Sequence, residues 1–126
     1  MKKIKVLICD DHQMMLDGIK LILSNIENII VVGQAHNGEE TIEWLGNNET
    51  DIILMDINMP VMDGLKACKI LNKKYDNIKV IFLSMINQSS IIHSLIESGA
   101  KGYLLKNSGQ EELSIAIQNV YDGGVF

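Results

Sequence analysis

The sequence predicts an α/β fold in which a doubly wound, parallel sheet of five strands lies between two layers of helices. Short apolar runs alternate along the chain with segments whose apolar residues recur every three or four positions. This is the pattern of strands and helices in such a fold. The central run, residues 52–55, contains no polar residue, as is typical of a strand that is buried on both faces of a parallel sheet.

The first half of the chain contains two predicted strands, each followed by a helix. The strands cover residues 4–9 and 29–32, which are mainly apolar and rich in β-branched side chains. Asp11 is placed to cap the first helix. Asn37, with an acidic residue three positions later, is predicted to cap the second helix, which ends at Gly46.

The second half continues the same alternation. Strands are predicted at residues 52–55, 79–83 and 102–106, with a helix at residues 64–74 after the first of them. Ser89 and Ser90 can cap the next helix. Ser108, with Glu111 three residues later, forms a predicted capping box for the last helix.

Composition and charge limit the classes of function. The chain has 126 residues and a net charge of −5, which suits a single domain spanning residues 1–126. All 11 basic residues are lysine, so neither a basic patch nor an arginine cluster is predicted to grip nucleic acid. Cys9 and Cys68 are predicted to be buried thiols in a reducing cytosol. We expect a cytoplasmic protein without a signal peptide or a membrane span.

Polar residues stand at the ends of four of the five predicted strands. Asp10 and Asp11 follow the first strand, Asp56 the third and Ser84 the fourth, and Lys106 ends the fifth. Because the carboxyl ends of parallel strands meet at one edge of a sheet, we expect these side chains to lie together there. Three crowded carboxylates repel one another, and a hard divalent cation such as Mg²⁺ removes that repulsion.

This set of side chains suits phosphoryl transfer to Asp56. Its carboxylate can act as a nucleophile and form an acyl phosphate. Mg²⁺, the Ser84 hydroxyl and the Lys106 ammonium would then meet the phosphoryl oxygens, and phosphoryl transfer needs mainly such positioning and charge neutralisation. Each residue alone has an ordinary structural explanation, but their joint placement at successive strand ends is poorly explained in that way.

Four motifs stand at the same strand ends. They are Leu7-Ile-Cys-Asp10-Asp11-His12, Leu54-Met-Asp56-Ile-Asn-Met-Pro60-Val-Met-Asp63-Gly64, Phe82-Leu-Ser84-Met and Gly102-Tyr-Leu-Leu-Lys106. With these motifs, the sequence resembles a response-regulator receiver domain of a bacterial two-component system along essentially its whole length. The resemblance implies a flavodoxin-like fold with the strand order 2-1-3-4-5.

The resemblance implies that Asp56 accepts a phosphoryl group from a phosphohistidine on a sensor histidine kinase. Asp11 and Asp56 would bind Mg²⁺ directly, together with the backbone carbonyl of Asn58, and Asp10 would assist through water. A domain of this kind is a regulatory phosphoacceptor. It catalyses its own phosphorylation and slow dephosphorylation, and it is not a turnover enzyme.

The resemblance also implies a conformational switch. Ser84 and Lys106 would contact the phosphoryl group, and Tyr103 would turn inward when Ser84 moves. The change is expected to control homodimerisation and an attached output domain that regulates transcription. The Asp-Asp-His start and the ending at residues 120–126 resemble the subfamily whose receivers precede a LuxR/NarL-type helix-turn-helix domain. DNA binding would then belong to a C-terminal domain that is absent from this chain.

Three positions depart from the common receiver pattern. Asn107 follows Lys106 where many receivers have proline, so a cis peptide bond cannot be assumed there. Met85 is larger than the small residue that is common after the serine, and it is expected to narrow access to Asp56. Ile86 puts an apolar side chain where a polar residue would position water, which predicts a long-lived phosphoryl group.

Other functions also use a strand-end aspartate. A Mg²⁺-dependent phosphatase of the haloacid-dehalogenase type expects a second acid two residues after the nucleophile, but Asn58 follows Asp56 and His12 follows Asp10 at that spacing. A degenerate receiver that acts only as an interaction module would not need the complete acidic, serine and lysine set. A zinc site on Cys9 and His12 lacks the supporting ligands that zinc requires.

Overall fold

Strands and helices alternate along the chain in the computed structural model, which describes residues 3–85 and 89–126. The strands are β1 (Ile4–Cys9), β2 (Ile29–Ala35), β3 (Ile52–Asp56), β4 (Lys79–Ser84) and β5 (Gly102–Leu105). The helices are α1 (Gln13–Ser24), α2 (Gly38–Leu45), α3 (Gly64–Lys74), α4 (Ser89–Glu97) and α5 (Gln110–Tyr121). The strands form one parallel sheet in the order β2-β1-β3-β4-β5. The predicted fold class and strand order are therefore confirmed.

Two hydrophobic cores lie on opposite faces of the sheet, and alternate residues of β1 point into each. Val6 and Ile8 belong to the core that includes apolar side chains of α1 and α5. Leu7 and Cys9 belong to the core that includes side chains of α2 and α3. Every residue of β3 is buried, as predicted for residues 52–55. The end of this central strand is therefore held rigidly between two packed layers.

Three strands extend further than the sequence predicted. β2 continues to Ala35, because it remains paired with β1 as far as Cys9, beyond an irregularity in the ladder. β3 and β4 include Asp56 and Ser84 themselves, which pair with residues of the neighbouring strands. These two polar residues thus belong to the sheet and share its rigidity.

The predicted caps of the first two helices are partly correct. Asn37 caps α2, and its Oδ1 accepts the backbone N–H of Glu40 at 2.8 Å. The prediction that Asp11 caps α1 is wrong. His12 is the residue at the helix start, and Oδ1 of Asp10 accepts its backbone N–H at 2.9 Å. The carboxylate of Asp10 is thereby tied to the beginning of α1.

The capping box predicted for α5 is also wrong. Gly109 is the residue at the helix start, and Ser108 lies one residue too early because its backbone N–H donates to the Leu105 carbonyl in a tight turn at 3.0 Å. For α4, the side chains of Ser89 and Ser90 lie outside the described part of the chain. Among the described residues, no helix has the combination of length and apolar character that is needed to span a bilayer.

Candidate functional site

The carboxyl edge of the sheet brings the predicted polar residues together. Asp10 follows β1, Asp56 ends β3, Ser84 ends β4 and Lys106 follows β5. These four strands are consecutive neighbours in the sheet, so the four residues stand along one edge although they are far apart in sequence. Asp11 continues the chain from Asp10 on the solvent side of this edge.

Lys106 joins two buried carboxylates. Its Nζ atom lies 2.7 Å from Oδ2 of Asp10 and 3.2 Å from Oδ2 of Asp56. The side chains of Lys106, Asp10 and Asp56 are 5%, 1% and 9% exposed, respectively. A buried charge destabilises a protein unless it is paired, and here a single ammonium group serves two carboxylates. The ionised cluster therefore keeps a negative charge that a bound cation would balance.

The groups in this cluster shift one another's pKa. Burial raises the pKa of the Asp56 carboxyl group above its ordinary value, Lys106 opposes the shift, and the Asp10 carboxylate adds to it. For Lys106, burial acts to lower the pKa, but the interactions with Asp10 and Asp56 outweigh burial and the net shift is upward. Lys106 is thus a fixed positive charge at neutral pH.

The acidic side chains converge closely enough to hold a metal ion. Asp10, Asp11, His12 and Asp56 each offer a ligand atom, and these atoms all lie within 4.8 Å of one another. Carboxylate oxygens are the ligands that Mg²⁺ prefers. Asn58 lines the same cavity as Asp56, and its backbone N–H donates to the Asp56 carboxylate. The donor set and its surplus negative charge fit a divalent cation.

His12 is a member of this cluster that the sequence analysis did not predict as a ligand of the Mg²⁺ site. Its Nδ1 atom lies 3.2 Å from Oδ1 of Asp10 and 3.2 Å from Oδ1 of Asp11. The sequence does place His12 directly after two acids, but the metal site considered for it was a zinc site with Cys9. That pairing is disfavoured, because burial raises the pKa of the Cys9 thiol to about 12 and the Thr41 hydroxyl oxygen lies 3.1 Å from its sulfur.

An open cavity of about 200 Å³ is lined by Asp56. The other lining residues are His12, Ile57, Asn58, Ser84, Met85, Ile91 and Lys106. Met85 is 73% exposed, so its side chain stands at the mouth of the cavity. The Lys106–Asn107 peptide bond is trans. Ile86, for which a role in dephosphorylation was predicted, lies outside the described residues.

The structure places Tyr103 away from the Asp56 cavity. It is half-buried on β5 and packs against the core that contains Phe82 and Leu95. It lines a separate cavity of about 450 Å³ together with Ile92 of α4 and the C-terminal Phe126. Tyr103 thus lines the cavity beside α4, whereas Ser84 and Lys106 line the cavity of Asp56.

The loop that follows Asp56 is tightly closed. The backbone N–H of Gly64, at the start of α3, donates to the Ile57 carbonyl at 2.8 Å. Within this loop Val61 adopts a φ of 67°, a left-handed conformation that is strained for a β-branched residue. Strained backbone of this kind clusters at functional sites, and here it lies within the loop that joins the predicted phosphoacceptor to α3.

A doubly wound parallel sheet with an acidic cluster and a buried aspartate–lysine pair at its carboxyl edge has the architecture of a receiver domain. The family model of the response regulator receiver domain matches residues 6–118. The chain belongs to this family. Its membership confirms the resemblance seen in the sequence and argues against a haloacid-dehalogenase phosphatase.

Curated relatives include response regulators from several bacteria. UvrY of Escherichia coli strain K12 is 37% identical over 120 residues, which are 95% of this chain and 55% of that protein. GacA of Pseudomonas aeruginosa is 38% identical over 120 residues, which are 95% of this chain and 56% of that protein. The transcriptional regulatory protein DegU of Brevibacillus brevis is 37% identical over 124 residues, or 98% of this chain and 52% of that protein. The chain therefore spans about half the length of the curated relatives it matches.

Solved structures agree with this assignment. The signal receiver domain of NarL from Mycobacterium tuberculosis aligns with a TM-score of 0.92 at 28% identity, covering 98% of this chain and 99% of that chain. RcsB in a complex with DNA aligns with a TM-score of 0.90 at 26% identity, covering 99% of this chain and 63% of that chain. The predicted flavodoxin-like receiver fold is confirmed.

Proposed function

We propose that this domain is a phosphorylation-activated switch of a two-component system, with Asp56 as the phosphoacceptor. The observation that carries the proposal is the buried contact of Asp56 with Lys106, whose charged atoms are 3.2 Å apart. Beside it, the carboxylates of Asp10 and Asp11 belong to the cluster of ligand atoms within 4.8 Å of one another. An aspartate with a purely structural role has no need of this surplus of negative charge.

In the proposed reaction, a carboxylate oxygen of Asp56 attacks the phosphorus of a phosphohistidine on a sensor histidine kinase. A P–O bond forms while the P–N bond breaks, and the imidazole nitrogen leaves with the electron pair and takes up a proton. A Mg²⁺ ion, when bound, neutralises charge on the phosphoryl oxygens. Asp10, Asp11, Asp56 and the backbone carbonyl of Asn58 are the groups proposed to hold it.

Lys106 and Ser84 are proposed to complete the phosphoryl site. The ammonium of Lys106 is already held beside Asp56, and it would neutralise the charge that develops on the phosphoryl oxygens. The Ser84 hydroxyl would donate a hydrogen bond to the same group. The backbone N–H of Lys106 donates to the Ser84 carbonyl at 2.8 Å, so the ends of β4 and β5 are coupled directly.

Phosphorylation would change the balance of charge at this edge. It adds about 1.5–2 negative charges to a cluster that is already negative, so Lys106 would be drawn from Asp10 towards the phosphoryl group. Because Ser84 ends β4 and Lys106 directly follows β5, we expect the shift to reach α4 and Tyr103, which is the proposed switch residue. The resulting bias of a two-state equilibrium is expected to favour homodimerisation.

The output of the switch is proposed to be transcription, regulated through a C-terminal LuxR/NarL-type helix-turn-helix domain outside this chain. Two observations support this proposal. The chain spans about half of relatives such as DegU, which is named a transcriptional regulatory protein, and a structure of the similar RcsB contains DNA. We propose that the output domain makes the contact with DNA. We also propose that the receiver domain meets its sensor kinase in the cytoplasm.

The proposed chemistry is regulatory. The domain would catalyse its own phosphorylation and a slow autodephosphorylation, without turnover of a free substrate. The test is the intact mass of the chain after incubation with Mg²⁺ and acetyl phosphate. The wild type should gain one phosphoryl group, Asp56→Asn should gain none, and chelation of the metal should abolish the gain.

Asp51→Asn is the matched control, because Asp51 precedes the same strand at the opposite edge of the sheet. This variant should be phosphorylated like the wild type. Phosphorylation of Asp56→Asn would overturn the assignment of the acceptor. A wild-type chain that gains no phosphate even from an active histidine kinase would instead be a receiver that acts only as an interaction module.

A further inference from the structure

We propose that the imidazole of His12 is a further ligand of the cation site at the carboxyl edge, and that it makes the site prefer transition-metal cations over Mg²⁺. The cations concerned are Mn²⁺, Co²⁺, Ni²⁺ and Zn²⁺, which accept nitrogen ligands. This inference rests on the proposed cation site of Asp10, Asp11 and Asp56. It goes beyond that proposal in the identity of the ion and of one ligand.

The distances fit a single coordination shell. Nδ1 of His12 lies 3.2 Å from Oδ1 of Asp10 and 3.2 Å from Oδ1 of Asp11. Around an octahedral ion with ligands at about 2.1 Å, adjacent ligand atoms lie about 3 Å apart and opposite ones about 4.2 Å apart. The ligand atoms of all three residues and of Asp56 lie within 4.8 Å of one another. Small side-chain adjustments therefore suffice to place them around one ion.

The backbone of His12 is fixed where the ligand is needed. Its N–H donates to Oδ1 of Asp10 at 2.9 Å, and its carbonyl accepts from Met15 and Leu16 in the first turn of α1 at 3.0 and 3.2 Å. Lys106 contacts the other oxygen of Asp10, Oδ2, at 2.7 Å, so Oδ1 remains on the side of His12. The His12 side chain is 72% exposed, which gives an ion from solvent direct access to the ring.

A neutral imidazole nitrogen changes which ion the site prefers. Mg²⁺ takes oxygen ligands and keeps several of its waters, so its binding needs the carboxylates and gains little from His12. Imidazole suits transition metals, and affinities at mixed nitrogen and oxygen sites rise from Mn²⁺ through Co²⁺ to Ni²⁺. We therefore expect Ni²⁺ binding to depend strongly on His12 and Mg²⁺ binding to be independent of it.

The chain has three histidines, and the other two differ from His12 in their surroundings. His93 on α4 is 82% exposed, and its Nε2 lies 2.7 Å from Oε1 of Glu97. His36 is engaged at both ring nitrogens, by Glu40 and by Gln13, at 3.0 Å each. His93→Ala is the matched control, because it removes an accessible imidazole beside a carboxylate at a position away from the site.

The test is isothermal titration calorimetry of the untagged chain with MgCl₂, MnCl₂ and NiCl₂. In His12→Ala the Ni²⁺ affinity should fall about 10-fold or more, as is found when even a group that supports a metal ligand is removed. The Mn²⁺ affinity should fall by a smaller factor, and the Mg²⁺ affinity should stay at the wild-type value. Pulsed electron paramagnetic resonance of the Mn²⁺-loaded wild type should show coupling to a nitrogen nucleus that is absent in His12→Ala.

The outcomes separate this inference from the proposed function. If His12→Ala binds Ni²⁺ as tightly as the wild type while both bind Mg²⁺, His12 is merely a hydrogen-bond partner of two acids and the inference is wrong. If the wild type binds no Mg²⁺ and is not phosphorylated, the proposed cation site itself fails. His93→Ala should behave like the wild type at this site, and Asp11→Asn should weaken the binding of all three ions.

Discussion

Two aspartates flank the central strand β3, and they have opposite surroundings. Asp51 lies before the strand, where its Oδ2 accepts the backbone N–H of Lys5 at 2.9 Å in an exposed position. Asp56 ends the strand in a buried position, 3.2 Å from the ammonium of Lys106. The carboxylate of Asp51 stabilises the fold through an uncharged partner, the backbone N–H of Lys5. The carboxylate of Asp56 is held among buried charges, and such settings are characteristic of functional sites.

Lys79 and Lys106, at the same two edges of the sheet, also differ in whether their partners are charged. Nζ of Lys79, at the start of β4, donates to the carbonyls of Val120 and Tyr121 at 3.0 and 3.4 Å. These carbonyls belong to the last turn of α5, where the helix dipole favours a cation. Lys106 contacts two carboxylates instead. A cavity of about 850 Å³ lies at the amino edge, beside Asp51, so the larger cavity lies away from the proposed phosphorylation site.

The largest expected effect comes from replacing these two lysines. Lys106→Met should lower the rate of phosphorylation by acetyl phosphate about 10²–10³-fold, because it removes the ammonium proposed to neutralise transition-state charge. Lys79→Met should leave the rate unchanged, while the loss of its contact with the end of α5 lowers the free energy of unfolding by about 0.3–1 kcal/mol. The rates are measured by intact mass against time at saturating Mg²⁺.

Lys106→Arg serves as a companion variant, because it keeps the positive charge between Asp10 and Asp56. Circular dichroism of each variant shows whether the fold is retained when the pairing changes. A folded Lys106→Met protein that is phosphorylated at the wild-type rate would contradict the role proposed for Lys106.

The next largest effect is expected from a comparison of two glycines. A Cβ atom at Gly64 would meet the backbone carbonyl of Asp56 and lie 2.9 Å from the ring of Phe82, so Gly64→Ala should lower the free energy of unfolding by about 1–3 kcal/mol. At Gly18, within α1, a Cβ atom meets no described atom within 4 Å. Gly18→Ala should therefore raise stability by about 0.5–1 kcal/mol through helix propensity.

Urea denaturation of both variants measures these changes. If Gly64→Ala were as stable as the wild type, the close approach of α3 to the end of β3 would not constrain the position of Asp56. Asp51 and Asp56 would then differ only in the charges around their side chains, and not in the packing of the backbone.

The fold and the composition of the site were predictable because their signals are local in sequence. Uninterrupted apolar runs and helical periodicity can be read without knowledge of tertiary contacts. Once the strands are parallel, the residues at their ends must share an edge. This is why Asp56, Ser84 and Lys106 could be assigned to one site from their positions alone.

The contacts that were missed depend on placement in space. Asp10 and Asp11 both precede the start of α1, and in the structure the buried Asp10 accepts the N–H of His12 at 2.9 Å. Ser108 fails as a cap because a turn shifts the helix start by one residue. The pairing of Lys106 with Asp10, at 2.7 Å, joins the two ends of the chain and has no local signal.

Ionisation of Asp56 should make the stability of the domain depend on pH. Burial raises the pKa of Asp56 in the folded state above its ordinary value of 3.8. At pH values between the ordinary pKa and the raised pKa of Asp56, the folded state binds more protons than the unfolded state. The free energy of unfolding therefore falls as the pH rises through this window. Asp56→Asn cannot ionise. It should be more stable than the wild type at neutral pH, and the difference should vanish at pH values below the ordinary pKa of an aspartate.

Urea unfolding in the presence of a chelator, from acidic to neutral pH, tests this prediction. Lys106 also contacts Asp10, at 2.7 Å, so we expect this partner to keep Lys106 paired in the variant. A constant difference between Asp56→Asn and the wild type over the whole range would show that ionisation of Asp56 is not its source.

The smallest expected effect concerns Met85, at the mouth of the Asp56 cavity. Its side chain is 73% exposed, so Met85→Ala should change the free energy of unfolding by less than about 0.5 kcal/mol. Access of water and acetyl phosphate to Asp56 should increase, and both phosphorylation and dephosphorylation should become about threefold faster, which is less than 1 kcal/mol of barrier. Ile115→Ala, at a 51% exposed position on α5, is the control and should leave both rates unchanged. Unchanged rates in Met85→Ala would assign control of access to other residues around the cavity.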